Sequence, residues 1–367
     1  MAFENRYSTL DRLLHDLAFS THKAQIGLAD LEDVIFRDWL ARHELDRPLF
    51  ITALPRAGTT LLLELCVASG TFASHTYRHM PFVLIPLLWH RFSQRFQRFD
   101  APRERAHGDG MLVNVDSPEA FEEMAWMAFW PKRYRRDRIM PWRQEEDSGF
   151  RDFLNNHFKK VVALSVQSGD GLSDRSHSPL RYASKNNLNI ARITWLARHF
   201  RDALFLIPFR DPLQQCASLC RQHLNFLEIH RRDPFAKRYM KGIGHFDFGD
   251  NLRPVDFDGW LDSSQHLDPR EFGFWLAYWH AAYRSLLAEA TECVRFVNYD
   301  ALCADPRSGL EQIAQFIQVE HKDAFLAQTE RIHAPSSHEI DDALLNDTLI
   351  EEAKALHAQL VAFSIVE

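Results

Sequence analysis

The stretch Leu49-Phe50-Ile51-Thr52-Ala53-Leu54-Pro55-Arg56-Ala57-Gly58-Thr59-Thr60-Leu61-Leu62 constrains the fold more than any other part of the chain. Its first half, after Pro48, has the apolar run of a buried parallel strand. Pro55–Gly58 then calls for a tight turn, and Thr59–Ser69 reads as a helix. A buried strand that turns directly into a helix aims several backbone N–H groups and the positive helix end at one anion. The strand-then-helix rhythm recurs. Leu180–Ser184 precedes a helix at Asn189–His199, Ala203–Phe209 precedes one beginning after Pro212, and Val294–Val297 precedes Pro306–Ile317. This alternation predicts an α/β fold, a parallel sheet flanked by helices on both faces with largely helical inserts.

Around that unit, residues 1–46 read as a helical segment, with Leu10, Leu13, Leu14 and Leu17 on one stripe. Residues 47–320 form the α/β domain, interrupted by inserts at about 75–175 and 224–270. Residues 321–367 form a C-terminal helical segment. Hydrophobic residues make up 46% of the chain and charged ones 25%, enough apolar material for a core and far from a disordered composition. The 43 Lys and Arg against 50 Asp and Glu give a net charge of −7, which argues against nucleic acid as a partner. Glu4, Asp11 and Asp16 break up what a secretory signal would need. The apolar run Met80–Trp89 is shorter than the ~20 residues of a membrane span. Five scattered cysteines, Cys216 and Cys220 included, lack ligand-like companions, so no metal and a reducing cytoplasm are expected.

Within the turn, Gly58 permits close approach of the backbone, Thr59 and Thr60 add hydroxyl donors, and Arg56 adds a fixed charge. A nucleoside-triphosphate loop would read G-x-x-x-x-G-K-[ST]. Here the first glycine is absent, Thr59 stands where the lysine belongs, and the cation has moved ahead of the glycine. Those departures argue against ATP with Mg²⁺. The run P-R-A-G-T-T-L-L instead resembles the 5′-phosphosulfate loop of sulfotransferases that use 3′-phosphoadenosine 5′-phosphosulfate (PAPS), where P-[KR]-[ST]-G-T-T is usual. Ala57 departs from that pattern. The resemblance implies a P-loop-like fold, with Arg56, Ala57, Gly58, Thr59 and Thr60 binding PAPS. It also implies in-line transfer of a sulfuryl group to a hydroxyl or amine of a small molecule, glycan or lipid, leaving 3′,5′-adenosine diphosphate (PAP).

Arg210-Asp211-Pro212 with Ser218 resembles the R-[DN]-P-x5-S motif of the same family, which implies that Arg210 and Ser218 hold the 3′-phosphate. Arg210 follows a strand end, where open α/β sheets place ligands. Lys185 ends another strand, where related enzymes carry K-[DS]-P. Asn186 and Asn187 replace the last two residues here. Its two readings, neutralising the leaving phosphate or sitting solvated at a strand end, stay open. Tyr299-Asp300-Ala301-Leu302 through Asp305-Pro306 resembles the family's Y-[ED]-x-L-x-x-D-P signature, in which Asp305 would cap a helix.

Sulfuryl transfer needs a base for the acceptor's proton. His79 is the first choice, with His75 second, because imidazole titrates near neutrality. Glu119, Glu122 and Glu123 are the other candidates, from an acidic segment that also reads as a helix start capped by Ser117. The expected catalytic set is therefore His79, Glu122, Arg56 and Lys185. Pro81–Phe99 reads as a basic amphipathic helix, for which packing is favoured over contact with a membrane surface. Lys132–Arg138 is a basic run that would hold an anionic acceptor, the phosphates, or only solvent. The 28 Phe and 9 Trp concentrate partly in the first insert, which suggests an apolar or aromatic acceptor. A kinase-like phosphotransferase and a catalytically silent nucleotide-binding homologue are the competing functions.

Overall fold

The computed structural model describes residues 9–93, 103–104, 112–113, 117–119, 121–167, 180–340 and 347–366. Five strands form one parallel sheet: β1 (Leu49–Ile51), β2 (Phe72–Ala73), β5 (Arg181–Lys185), β6 (Leu204–Phe209) and β7 (Val294–Asn298), in the order β2-β5-β1-β6-β7. The pair β3 (Arg103–Glu104) and β4 (Leu112–Val113) forms a separate antiparallel ribbon. In register, Phe50 of β1 stands beside Ser184 and Phe205.

Strand side chains alternate between faces, and the core divides accordingly. Phe50, Tyr182, Phe205, Ile207 and Phe296 join one buried cluster, whereas Leu49, Ile51, Ala183, Leu206 and Val297 join the other. Each side chain of this size contributes about 1.5–3 kcal/mol when fully buried. On the second face lie α3 (Thr59–Ala68) and α8 (Pro306–Ile317), and on the first α4 (Ser148–Gln167) and α9 (Asp347–Ala362). The remaining long helices are α1 (Thr9–Ser20), α2 (His22–Ile35), α5 (Pro212–Arg232), α6 (Pro234–Gly242) and α7 (Phe272–Ala288). The α/β architecture with helices on both faces is therefore as the sequence predicts.

Several elements differ in detail. Strand β2, two residues long at the sheet edge, is too short to carry a period of its own. The expected helix Asn189–His199 divides into a 3-10 turn, Asn187–Ala191, and a helix, Ile193–His199, because Arg192 takes an extended φ of −147°. Ser117 does not start a helix: Pro118 bridges to Thr76 in a β-type pair, and the helix begins at Glu123. Of the amphipathic stretch, Pro86–Ser93 is helical, while Arg95, Phe96, Arg98 and Phe99 lie outside the described residues. The helix starts at Pro212 and Pro306 are capped by Asp211 and Asp305, whose carboxylates accept from Gln214 N at 2.9 Å and Ser308 N at 3.1 Å.

Much of the aromatic load is interior. Trp126 packs against Trp142, Phe150 and Trp195 with centroids 5.5, 4.7 and 5.0 Å away. The Arg192 guanidinium lies between the Trp126 and Trp142 rings, at 4.2 and 4.5 Å, and pairs with Glu123 at 2.8 Å. Phe121 is fully buried as well. Trp126, Trp142, Phe150 and Phe121 of the first insert are thus used in packing, whereas Phe92 is exposed. Among the described residues no helix is long and apolar enough to cross a membrane.

Candidate active site

The turn between β1 and α3 is held by its backbone. Gln215, from α5, donates from Nε2 to the carbonyls of Leu54 and Pro55 at 3.2 and 3.0 Å. Its own oxygen accepts from Trp279 Nε1 at 3.0 Å, which ties the turn to α7. Arg56 and Gly58 have φ of +69° and +85°, left-handed values that cost little only for glycine. A Cβ at Gly58 would also fall 2.2 Å from the Tyr299 ring, so conformation and space both require glycine there. Gly58 is the N-cap of α3 and makes no side-chain capping bond. The helix thus begins at the positive end of its dipole, where an anion is favoured.

Two other strand ends complete this side. Arg56 Nε donates to Ser218 Oγ at 3.1 Å across 162 residues of sequence. Arg210, 4% exposed, donates from a terminal nitrogen to the Arg56 carbonyl at 3.3 Å and from Nε to Asp300 at 3.3 Å. Asp300 also accepts from the Asp211 backbone at 2.7 Å, which fixes the turn that carries Arg210. Arg56, Gly58 and Thr59 of the turn thus lie together with Arg210 and Ser218. Ala57 is fully buried, so its contribution is the backbone alone.

One residue of this patch escaped the sequence. Gln214 clamps the backbone of His338, donating to its carbonyl at 3.1 Å and accepting from its N–H at 2.8 Å. The His338 ring lies 3.2 Å from an Arg221 terminal nitrogen. Burial first, and then the charges of Arg221, Arg210 and Arg56, hold its pKa below the ordinary histidine value. No motif marks residues 332–340; only the pairing with Gln214 brings them here.

A second group adjoins the helix start. Asn187 accepts from the Thr59 hydroxyl at 3.3 Å and donates to Asp247 at 3.2 Å, and Asp247 lies 3.9 Å from His245. Lys185, directly beside Ile51 in register, has its ammonium 4.0 Å from Glu119. Glu119 also accepts from the Tyr77 hydroxyl at 2.9 Å. Asn187 was noted only as a departure from the K-[DS]-P pattern, and Asp247 stands in no recognisable spacing.

The histidines and Glu122 are placed elsewhere. His79 Nδ1 lies 3.0 Å from His75 Nδ1 and accepts from the Thr76 backbone at 3.3 Å, while His75 Nε2 lies 3.0 Å from His157 Nε2. Burial pushes His79 down to about 4, and the adjacent His90 and Arg78 charges add to the shift. Burial likewise draws His75 well below the ordinary histidine value, with the His157 and His79 charges adding to the shift. An imidazole so buried and so weakly basic is a poor proton acceptor. Glu122, 1% exposed, accepts from Asn189 at 2.6 Å and Tyr182 at 3.1 Å, and burial raises its pKa. It anchors the 3-10 turn after β5 from the interior. Glu123 is committed to Arg192.

No curated protein matches the chain. Among solved structures, sulfotransferase STF9 from Mycobacterium avium is 14% identical, with 99% of this chain and 88% of that one covered at a TM-score of 0.49. STF1 from Mycobacterium tuberculosis is 15% identical over 91% and 82%, at 0.45. The sulfotransferase from Alicyclobacillus acidocaldarius is 16% identical over 87% and 94%, at 0.36. The sequence model of the sulfotransferase family matches residues 48–246, from the start of β1 past α6. That match takes in the phosphate turn, Lys185, Arg210 and Ser218 and exceeds half the chain, which therefore belongs to the sulfotransferase family.

Proposed function

We propose that this sulfotransferase takes its sulfuryl group from PAPS and passes it to a hydroxyl or amine. The uncapped start of α3 behind Gly58, joined to Ser218 and Arg210 through Arg56, carries this reading. It offers backbone donors for a 5′-phosphosulfate and a buried guanidinium with a hydroxyl for a 3′-phosphate. Nothing in that patch reproduces the lysine–hydroxyl pair by which nucleotide kinases hold β,γ-phosphates and Mg²⁺, which disfavours phosphoryl transfer.

In the proposed step the acceptor oxygen or nitrogen attacks sulfur in line. The bond from sulfur to the bridging oxygen breaks, and PAP leaves with the electron pair. Lys185, at the strand end beside the phosphate turn, offsets the charge that develops on that oxygen. Glu119 takes the acceptor's proton. Of the residues named from sequence for this task, Glu119 retains 15% side-chain exposure and stands 4.0 Å from Lys185. His75, His79, Glu122 and Glu123 are buried and committed to interior partners. The Tyr77 hydroxyl, which donates to Glu119, orients the carboxylate.

Two measurements test the donor. PAP should raise the melting temperature, and ADP with Mg²⁺ should not. Tighter binding of ADP–Mg²⁺ than of PAP would overturn the assignment. Transfer of radiolabelled sulfate from PAPS to panels of phenols, sugars, lipids and amines would identify the acceptor class.

A further inference from the structure

Away from the phosphate turn, a surface cavity of about 250 Å³ is lined by Arg136, Lys237, Arg238, Lys241 and Arg253, with Asp250 as its one carboxylate. Five cations meet there in a protein whose net charge is −7. Lys237 is neutralised by Asp250 at 2.8 Å, and Arg238 reaches only as far as Asp16, at 3.9 Å. Arg136, Lys241 and Arg253 form no ion pair among the described residues. Two other arginines of the basic run are used differently. Arg138 pairs with Asp256 and Asp262 at 2.7 and 2.8 Å, and Arg133 pairs with Glu145, which leaves Arg136 to the cavity.

The walls are fixed from several sides. Asp233 caps α6, its carboxylate accepting from Phe235 N and Ala236 N at 2.9 and 3.1 Å, and so sets the direction of Lys237, Arg238 and Lys241. Asn251 donates to the Lys237 carbonyl at 2.9 Å. Arg253 lies 4.6 Å over the Phe246 ring, and its backbone N–H donates to the Phe246 carbonyl at 2.9 Å. Partial burial draws the Arg253 guanidinium below its ordinary range, so its charge is poorly compensated. A concave site lined by one sign of charge concentrates the opposite ion. Its volume falls under the roughly 300–1,000 Å³ of pockets that enclose whole drug-sized ligands. A compact, multiply charged anion suits it better than a nucleotide.

We infer that this cavity binds a phosphate ester group, at a site separate from the two phosphate positions of the nucleotide donor. Arg136, Lys241 and Arg253 supply the charge, and the Lys237–Asp250 pair presents donor and acceptor at one wall. Arg253, on the cavity wall, stacks on Phe246, which precedes the Asp247 that accepts from Asn187.

The experiment uses the full chain saturated with PAP, so that the donor positions are filled, and titrates glycerol 3-phosphate by calorimetry. A parallel arm measures cosedimentation with phosphatidylcholine vesicles that contain phosphatidic acid or lack it. The paired variant is Arg136→Gln with Lys241→Gln, both at exposed positions, and its melting temperature reports that it is folded. Phosphate-dependent binding is expected in at least one arm, weakened about tenfold or more in the paired variant while PAP binding is unchanged. Weakening with glycerol 3-phosphate assigns a free ester; weakening confined to vesicles assigns a lipid headgroup. A wild-type chain that binds neither probe, or binding that the paired variant retains, overturns the inference. Failure of PAP to bind counts against the donor assignment alone, since both arms read the same way without nucleotide.

Discussion

Around Gly58, segments separated by more than a hundred residues brace one short turn: Gln215 holds its carbonyls, Ser218 meets Arg56, and Tyr299 fills the space beside the glycine. Around Glu119 the arrangement is looser, with one tyrosine hydroxyl at 2.9 Å and a lysine at 4.0 Å. On the proposed reading the braced turn serves the donor, and the groups around Glu119 serve the acceptor.

The contrast can be tested, beginning with the largest expected effect. Glu119→Gln should lower turnover by about 10²–10⁴-fold, the usual contribution of a general base, with PAP affinity unchanged. Steady-state kinetics with a separate PAP titration separate the two quantities. An equal loss in Asp247→Asn and none in Glu119→Gln would move the base to Asp247. Gly58→Ala should act on the opposite side. It adds strain of about 1–3 kcal/mol at a left-handed φ together with the clash on Tyr299, and both the melting temperature and PAP binding should fall.

Arg210→Ala should cost about 1.5–3 kcal/mol of PAP affinity, as expected for a hydrogen bond to a charged group, with a smaller effect on stability. Calorimetric titration would measure it, and an unchanged affinity would place the 3′-phosphate elsewhere. The smallest effect concerns the buried histidines. His79 is held at about 4 when folded, against 6.5 when exposed, so the unfolded chain binds the extra proton. The stabilisation is complete above pH 6.5 and is lost as pH falls toward 4. Between pH 7 and 5 this group alone removes about 2 kcal/mol. Denaturant titrations at both values check it, and His79→Gln should flatten the dependence while leaving the affinity for PAP as it was.

The donor side was largely legible in the sequence, and the reason is geometric. A phosphate turn uses backbone donors that are consecutive in the chain, so Arg56 through Thr60 can be seen as a run. Arg210 and Ser218 lie two helical turns apart and are visible in the same way. The candidate bases could not be ranked by burial from the sequence, because burial is a property of the fold. His79 precedes an apolar run whether it faces a pocket or, as found, a chain of three histidines in the interior. Glu119 and Glu122 share one acidic segment, and only the fold separates the accessible one from the anchored one. Asn187, Asp247 and His338 depend on contacts between distant segments, which leave no periodic trace. The sheet was read correctly down to its four longer strands, while β2, with two residues, was below the length at which alternation can be recognised.

Gln215 has a kinetic consequence. By tying the Leu54 and Pro55 carbonyls to α7, it leaves the turn little freedom to lose when the proposed donor, PAPS, arrives. A receptor organised beforehand binds without an ordering penalty, and it grips the spent nucleotide through the same contacts. The expected pattern is donor first, acceptor second, with departure of PAP as the slow step of the cycle and PAP itself as a strong competitive inhibitor against PAPS.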